Sequence, residues 1–519
     1  MSTTNGISNS ERLTTDITDP TPPDQNQAPS NHNNKKTNPK PGYPDSIPAT
    51  SFLADFITTS KPTDLPAHVQ EKVQELLIDY IGVTLGAIQH AGSTGAIIEA
   101  VNTLQGVSPR ALALVAANKG ERAEGGSGGY CSVIGQGPEQ RWLPQYAGLL
   151  NAALGHSLDF DDTYAPGTLH AGVTAIPAAL LGAEILLDQT PSTSGSSSTT
   201  TAGTTTTTTT IGKNPITASA FLHAIALGYE TTSLVGRELG YAAYKRGFHN
   251  TSTAGIFGSI ATLAVLLQLS HAETVAAFGL AGSRAAGSMQ YLANGAWNKR
   301  LHPGFAVHDA WMMTHGFIEM SGELGEEWGR SRIVDGKVSV GGRGSGNEGG
   351  TVGTARPLPE DIEGIELFMS PENFILIGDP TPNKRHPTNN IDAQFSAYFQ
   401  VAHALLYGAK TGDMAAYSHL DDPGINVLTE KIVVRTDDGM KQFSARMKIR
   451  WNGGEAVERS QEFPLGEMEH PFTRERVVEK FHALADPEVG EERAREILRL
   501  VDGLAGGGTR IEDLIKSLR

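Results

Sequence analysis

Along the chain, apolar residues recur at helical spacing from about Ser51 to about Ser321. Val69, Val73, Leu76, Leu77, Tyr80 and Ile81 mark the first clear element. Tyr146–Gly155, Ala171–Leu187, Thr251–Leu269, Thr274–Gln290 and Phe305–Met320 follow, dense in Ala, Gly, Ser and Leu and poor in charge. Helices of that composition are buried on most sides, so they predict the inside of a multi-helix bundle.

Two stretches interrupt the pattern. Gln189–Thr210 is Ser/Thr low complexity with seven consecutive threonines at 204–210, which predicts a disordered insertion over 189–213. Gly329–Arg356 is Gly-rich and nearly free of large apolar residues, so it reads as a long unstructured connection. Beyond it the period changes. Ile362–Phe368 and Glu430–Arg435 read as strands, and Phe443, Ala445, Met447, Ile449 and Trp451 alternate, with Asp438-Gly439 as a hairpin turn. Ile391–Leu406 reads as a helix, and Arg474–Asp486, Glu491–Leu504 and Ile511–Leu518 as amphipathic helices.

The predicted fold class is mostly α, a large multi-helix bundle domain plus a smaller α+β lid domain. The divisions are a disordered arm over 1–48, the helical domain over 49–322, the lid over 323–470, and C-terminal helices over 471–519 that pack back on the helical domain. A cleft between the two domains is the default binding site.

Composition narrows the function. A net charge of −16 argues against nucleic acid and anionic membrane surfaces as partners. One cysteine, Cys131, excludes an internal disulfide framework and a Cys-based zinc site. No apolar run approaches the roughly 20 residues that span a bilayer. No Gly-rich phosphate loop follows a strand. The polar N-terminal arm lacks the apolar core of a secretory signal, and its Asp residues fit a transit peptide poorly. The expectation is an intracellular protein, cytoplasmic first with a mitochondrial location left open, and the sequon at Asn250 idle.

The candidate chemistry sits between two of the small-residue helices. His156-Ser-Leu-Asp-Phe-Asp-Asp-Thr-Tyr164, then Ala-Pro-Gly-Thr-Leu-His170, places three carboxylates and two imidazoles at a break between buried segments. Charged groups are costly there unless paired or working. A short acidic loop is also an ordinary solvated connection. Residue by residue, Asp161 and Asp162 read as helix-cap or salt-bridge residues, His156 as a satisfied core histidine, and Tyr291, Trp297 and Phe305 as packing.

Charge placement favours a site. Leu239 to His308 holds one acidic residue, Glu273, against Lys245, Arg246, His249, His271, Arg284, Lys299, Arg300, His302 and His308. Helix-end charges account for some of these. As a set they suggest a pocket for a small polyanion such as a di- or tricarboxylate. Within Gly287–Gly304 a Gly/Asn loop is expected to present Lys299 and His302 just before the next helix begins.

These residues resemble the MmgE/PrpD family, which includes 2-methylcitrate dehydratase and cis-aconitate decarboxylase. The resemblance is carried by Leu158-Asp-Phe-Asp-Asp-Thr163, the following His-Ala-Gly172, Gly247-Phe-His249 and Trp297-Asn-Lys-Arg-Leu-His-Pro-Gly304. It implies a helical domain with an α+β lid, a homodimer, and cofactor-independent lyase chemistry on citrate-like acids, with no metal. Carried over by motif, the catalytic positions are Asp159, Thr163, His170, His249 and Lys299, and the substrate-binding ones Gln290, Arg300, His302 and Tyr398. His170 follows a one-residue shift relative to members with a His-Pro pair there. Two departures stand out. The Gly-rich Gly329–Arg356 replaces a Lys-Pro-Tyr-Pro-Cys-Cys type strand and the helix after it, and the lid tyrosine position falls on Phe399, with Tyr398 beside it.

The implied reactions make specific demands. Dehydrating an alkylcitrate removes a proton alpha to a carboxylate while a hydroxyl leaves the next carbon, so it needs an acid, a base and cations near the enolate. Decarboxylating a cis-aconitate-type acid needs a carboxylate in an apolar setting and a proton donor for the carbanion. Dehydration of an alkylcitrate is the leading expectation, decarboxylation the alternative, and a catalytically inactive binding or dimerisation partner the third. Asp159, Asp161, Asp162, His156 and His170 could also suit a hard metal, but no His-Asp doublet or His-x-x-x-His helix supports that. Asp159-Phe-Asp-Asp162 matches the acid motif of terpene cyclases, which a chain with 7% aromatic residues suits poorly.

Overall fold

A computed structural model describes residues 49–117, 129–189, 216–315, 358–409, 412, 414–467 and 469–519. The arm at 1–48, nearly all of the Ser/Thr insertion, and the Gly-rich 329–356 therefore lie outside the described residues.

The first half is helical, as its spacing predicts: α1 (Ala49–Thr59), α2 (Ala67–His90), α3 (Thr94–Gln105), α4 (Pro109–Ala117), α5 (Pro144–Gly155), α6 (Gly172–Gln189), α7 (Ala218–Lys245), α8 (Asn250–Leu267), α9 (His271–Gly282), α10 (Tyr291–Asn294) and α11 (Asn298–His315). Small residues set how closely these helices approach. A Cβ on Gly258 of α8 would lie 1.8 Å from Thr232 Oγ1 of α7, and one on Gly304 of α11 would lie 2.8 Å from the Leu149 carbonyl of α5. Helix α8 is apolar and long enough to cross a bilayer by length and composition, yet 83% of it is buried inside the protein. Asn250 is fully buried, its amide donating to the carbonyls of Gly167 (2.8 Å) and Gly240 (3.0 Å), so the sequon is closed to modification in the folded chain.

The smaller part contains β1 (Ile362–Met369), α12 (Pro371–Asn373), α13 (Pro382–Arg385), α14 (Asn390–Gln394), α15 (Ala397–Tyr407), α16 (Pro423–Lys431), β2 (Ile432–Thr436), β3 (Ala445–Trp451) and β4 (Ala456–Gln461). The mostly α chain with a smaller α+β part thus has the predicted fold class. Its sheet runs β2-β1-β3-β4, β1 and β2 parallel and the other pairs antiparallel. α17 (Arg474–Val489), α18 (Glu491–Asp502) and α19 (Ile511–Ser517) close the chain. They join the helical core, where Phe481 of α17 packs onto Gly82 of α2.

Four local expectations are corrected. Asp438-Gly439 does not turn a hairpin, because β1 lies between β2 and β3; the hairpin is β3–β4, turned at Asn452-Gly453-Gly454. Every residue of β4 is exposed, so no buried alternation announced it. The segment 391–406 is two helices, broken where Ser396 accepts from the Phe399 N–H and starts α15. The segment 274–290 ends its helix at Gly282, and α11 starts at Asn298 rather than Phe305, so Lys299 and His302 sit in its first turns and not on a loop before it.

Candidate active site

The packing of α5 on α11 builds the site. Gly148 of α5 meets Val307, while Leu149 and Ala153 meet Gly304, so the pair is antiparallel and the end of α5 lies beside the start of α11. That brings the loop after α5 against Lys299. His156 ends α5, and Asp159 then adopts a left-handed backbone with φ 56°. Asp is among the few residues that visit this region, at a cost of about 1–2 kcal/mol. The chain turns through Ala165–Gly167 and pairs Tyr164 with Leu169, which returns His170 toward His156. His170 is anchored by its N–H, which donates to Thr251 Oγ1 of α8 at 3.1 Å. His249 precedes α8, its N–H donating to the Gly287 carbonyl at 3.0 Å.

The side chains converge. Lys299 Nζ lies 2.5 Å from both Asp159 oxygens. Asp161 lies between two imidazoles, 2.8 Å from His156 Nδ1 and 3.3 Å from His170 Nδ1. His170 Nε2 is 3.6 Å from Asp159. The His156 ring stacks on His249 at 5.5 Å, and His249 Nδ1 meets His302 Nδ1 at 3.1 Å. Tyr291 stands edge-on to His249 and His302, and the Lys299 ammonium lies 5.2 Å from the Phe395 ring centre.

Burial and Lys299 set the charge states. Burial alone would raise Asp159, but Lys299, then His170 and His156, hold its carboxyl well below the usual range. Burial pushes Asp161 up to about 6, with Asp159 adding to it. Asp162 is pushed up to about 7 by burial and by Asp161 and Asp79. Burial and Lys299 lower His156 to about 3; burial, with His156 and Lys299, lowers His302 to about 4. Burial also lowers His170, and takes His249 well below the ordinary imidazole value. At neutral pH the site therefore holds the Lys299–Asp159 pair and a largely ionised Asp161 among imidazoles that burial keeps neutral.

Of the positions singled out from the sequence, Asp159, His170, His249, Lys299 and His302 come together. Thr163 is exposed on the loop and Gln290 is exposed before α10. The Arg300 guanidinium is buried and donates to Ser93 Oγ at 2.6 Å. Tyr398 lies in the core of the α+β part and donates its hydroxyl to the Gly378 carbonyl at 2.9 Å. Nor does the whole basic set line one pocket: His271 faces Asp55, Lys245 faces Glu372, and Arg284 donates to Asp309.

His156, Asp161 and Tyr291 are in the cluster although their types suggested core, cap and packing. The only signal in the sequence was proximity to Asp159 and Lys299. Asp162 does act as a cap, accepting from the Gly172 N–H at the start of α6 (3.2 Å) and from the Tyr229 hydroxyl (3.1 Å). His156, Asp159, Asp161 and His170 could turn ligand atoms within 4.8 Å of one another toward an ion. The Lys299 ammonium already covers both Asp159 oxygens, so a second cation would meet its repulsion, and the set fits a metal poorly.

The described residues thus combine a helical bundle, a small mixed sheet and a buried carboxylate–imidazole–lysine cluster. The chain belongs to the MmgE/PrpD family: the N-terminal domain of that family matches residues 51–327 and its C-terminal domain residues 310–505. It is 24% identical over 496 residues to the cis-aconitate decarboxylase-like protein oryM of Aspergillus oryzae, covering 86% of this chain and 92% of that one. It is 26% identical over 428 residues to a cis-aconitate decarboxylase of Aspergillus terreus, covering 72% of this chain and 81% of the relative.

Proposed function

We propose that this protein is a cofactor-independent lyase that decarboxylates a cis-aconitate-type tricarboxylic acid. The observation that supports it best is the Lys299–Asp159 pair ringed by His170, His249 and His302, imidazoles that burial keeps neutral. Lys299 supplies one fixed cation. A bound carboxylate beside an imidazole favours its protonated form, so the polyanion draws in the rest of its counter-charge as protons.

Decarboxylation breaks the bond to one carboxylate carbon. Carbon dioxide leaves, the electron pair passes into the adjoining unsaturated system, and a proton must reach carbon. In this reading His170, held by Asp161 and near Asp159, delivers it, while Lys299, His249 and His302 hold the remaining carboxylates. Similarity to cis-aconitate decarboxylases over most of the chain favours this reaction. Dehydration of an alkylcitrate is the second reading, favoured by the contact of Asp161, pushed up to about 6, with His170, since elimination of water needs both an acid and a base. In either case the protein is read as a homodimer, which sedimentation tests.

The purified protein should be incubated with cis-aconitate, 2-methylcitrate and a longer alkylcitrate, and the products weighed by mass spectrometry. Loss of carbon dioxide from cis-aconitate is expected, and loss of water from an alkylcitrate would establish the second reading. No turnover by a folded sample would overturn both and leave a catalytically inactive binding or dimerisation partner.

A further inference from the structure

The carbonyls of the residues before and after Asp159 are each held by a side chain from far along the chain. The Leu158 carbonyl accepts from Gln394 Nε2 at 2.9 Å, across 236 residues. The Phe160 carbonyl accepts from Lys480 Nζ at 2.5 Å, across 320 residues. Between them Asp159 keeps its left-handed backbone and reaches Lys299. Lys480, on α17, is itself fixed by Asp79 of α2 at 2.7 Å, and both side chains are only 13% exposed. Gln394 ends α14, and the next residue, Phe395, lies over the Lys299 ammonium. One short segment therefore meets Lys299 and the residue before Asp159.

We propose that Lys480 and Gln394 are positioning residues: Gln394 pins the Leu158–Asp159 peptide plane, Lys480 pins the Phe160–Asp161 plane one residue further on, and together they hold the Asp159 carboxylate against Lys299. A non-glycine residue at positive φ relaxes when its surroundings allow it. With the peptide planes before Asp159 and after Phe160 both engaged, the stretch between them has little freedom to rotate. Freeing one lets the backbone of Asp159 relax and its carboxylate leave the ammonium. Through these two contacts the C-terminal helix and the α+β part support a site whose reacting groups they do not supply.

The activity arm of the test rests on the proposed lyase function. Lys480→Met and Gln394→Leu keep the bulk of each side chain and remove the donor. Each should lower kcat by about 10-fold or more, since small misplacements of reacting groups can cost ~10²-fold. KM should change far less. The acid limb of the kcat profile should move to higher pH, because an Asp159 carboxyl parted from Lys299 is easier to protonate. Lys480→Arg, which retains a cationic donor, should restore most of the rate. A lower melting temperature with kcat per folded molecule and the acid limb both unchanged would reduce these residues to ordinary packing and overturn the proposal.

If Lys480→Met does not fold, Gln394→Leu carries the same readouts. If the native protein turns over none of the acids, the lyase reading fails separately. Hydrogen–deuterium exchange of the 157–169 segment then decides: faster exchange there in either variant, with the helical core unchanged, supports the clamp, and unchanged exchange rejects it.

Discussion

Asp161 and Asp162 are neighbours with the same side chain, and packing gives them different work. Asp161 lies between His156 and His170 and orients both rings; Asp162 turns to Gly172 and Tyr229 and starts α6. His170→Gln, which keeps a polar side chain without an imidazole, should lower kcat by about 10²–10⁴ while leaving the melting temperature near native. Near-native turnover would remove His170 from the reaction. Asp162 makes a separate prediction. Its carboxyl is pushed up to about 7 in the folded chain, against about 3.9 when unfolded. The folded state thus keeps a proton that the unfolded chain has released, a stabilisation present below about pH 4 and lost as pH rises through about 7. Asp162→Asn retains a carbonyl acceptor and does not ionise. From about pH 5 to about pH 8 the melting temperature of the native protein should therefore fall relative to the variant. A constant difference across that range would contradict the assignment.

At the scale of elements, the small-residue helices were legible because apolar spacing survives whatever the neighbours are. The failures have local causes. Pro303 and Gly304 look like a helix start or stop, yet both lie buried within α11, where Gly304 is needed for contact with α5 and the missing Pro303 N–H costs one bond. A methyl group at 304 would press on the Leu149 carbonyl, a backbone atom with little room to give. Gly304→Ala should cost about 1–3 kcal/mol in chemical denaturation, as overpacked cores do. It should also lower kcat, since Lys299 rides on the same helix. Unchanged stability would mean the two helices can separate freely there.

For the whole molecule, the site depends on segments that no motif connects. The family's C-terminal domain match runs to residue 505, while α17 and α18 pack with the helical core. Phe481 is fully buried against Gly82, so Phe481→Ala should destabilise by about 3–5 kcal/mol, read from a denaturant midpoint. A loss well below that range would show that the C-terminal helices contribute little to this core.

By itself the sequence determined that the first half is helical, that an α+β part follows it, and a chemical vocabulary of aspartate, histidine and lysine in motifs at the ends of buried helices. Those are properties of short windows, where side-chain type and spacing dominate. The tertiary structure decided which of the basic residues share a site, that Asp161 and His156 belong with them, and that Arg300 and Tyr398 spend their donors on Ser93 and Gly378. It also set the strand order, which puts β1 between two strands that look consecutive. Pairings across tens or hundreds of residues depend on how closely helices approach and on which polar groups remain to be satisfied once the core has closed.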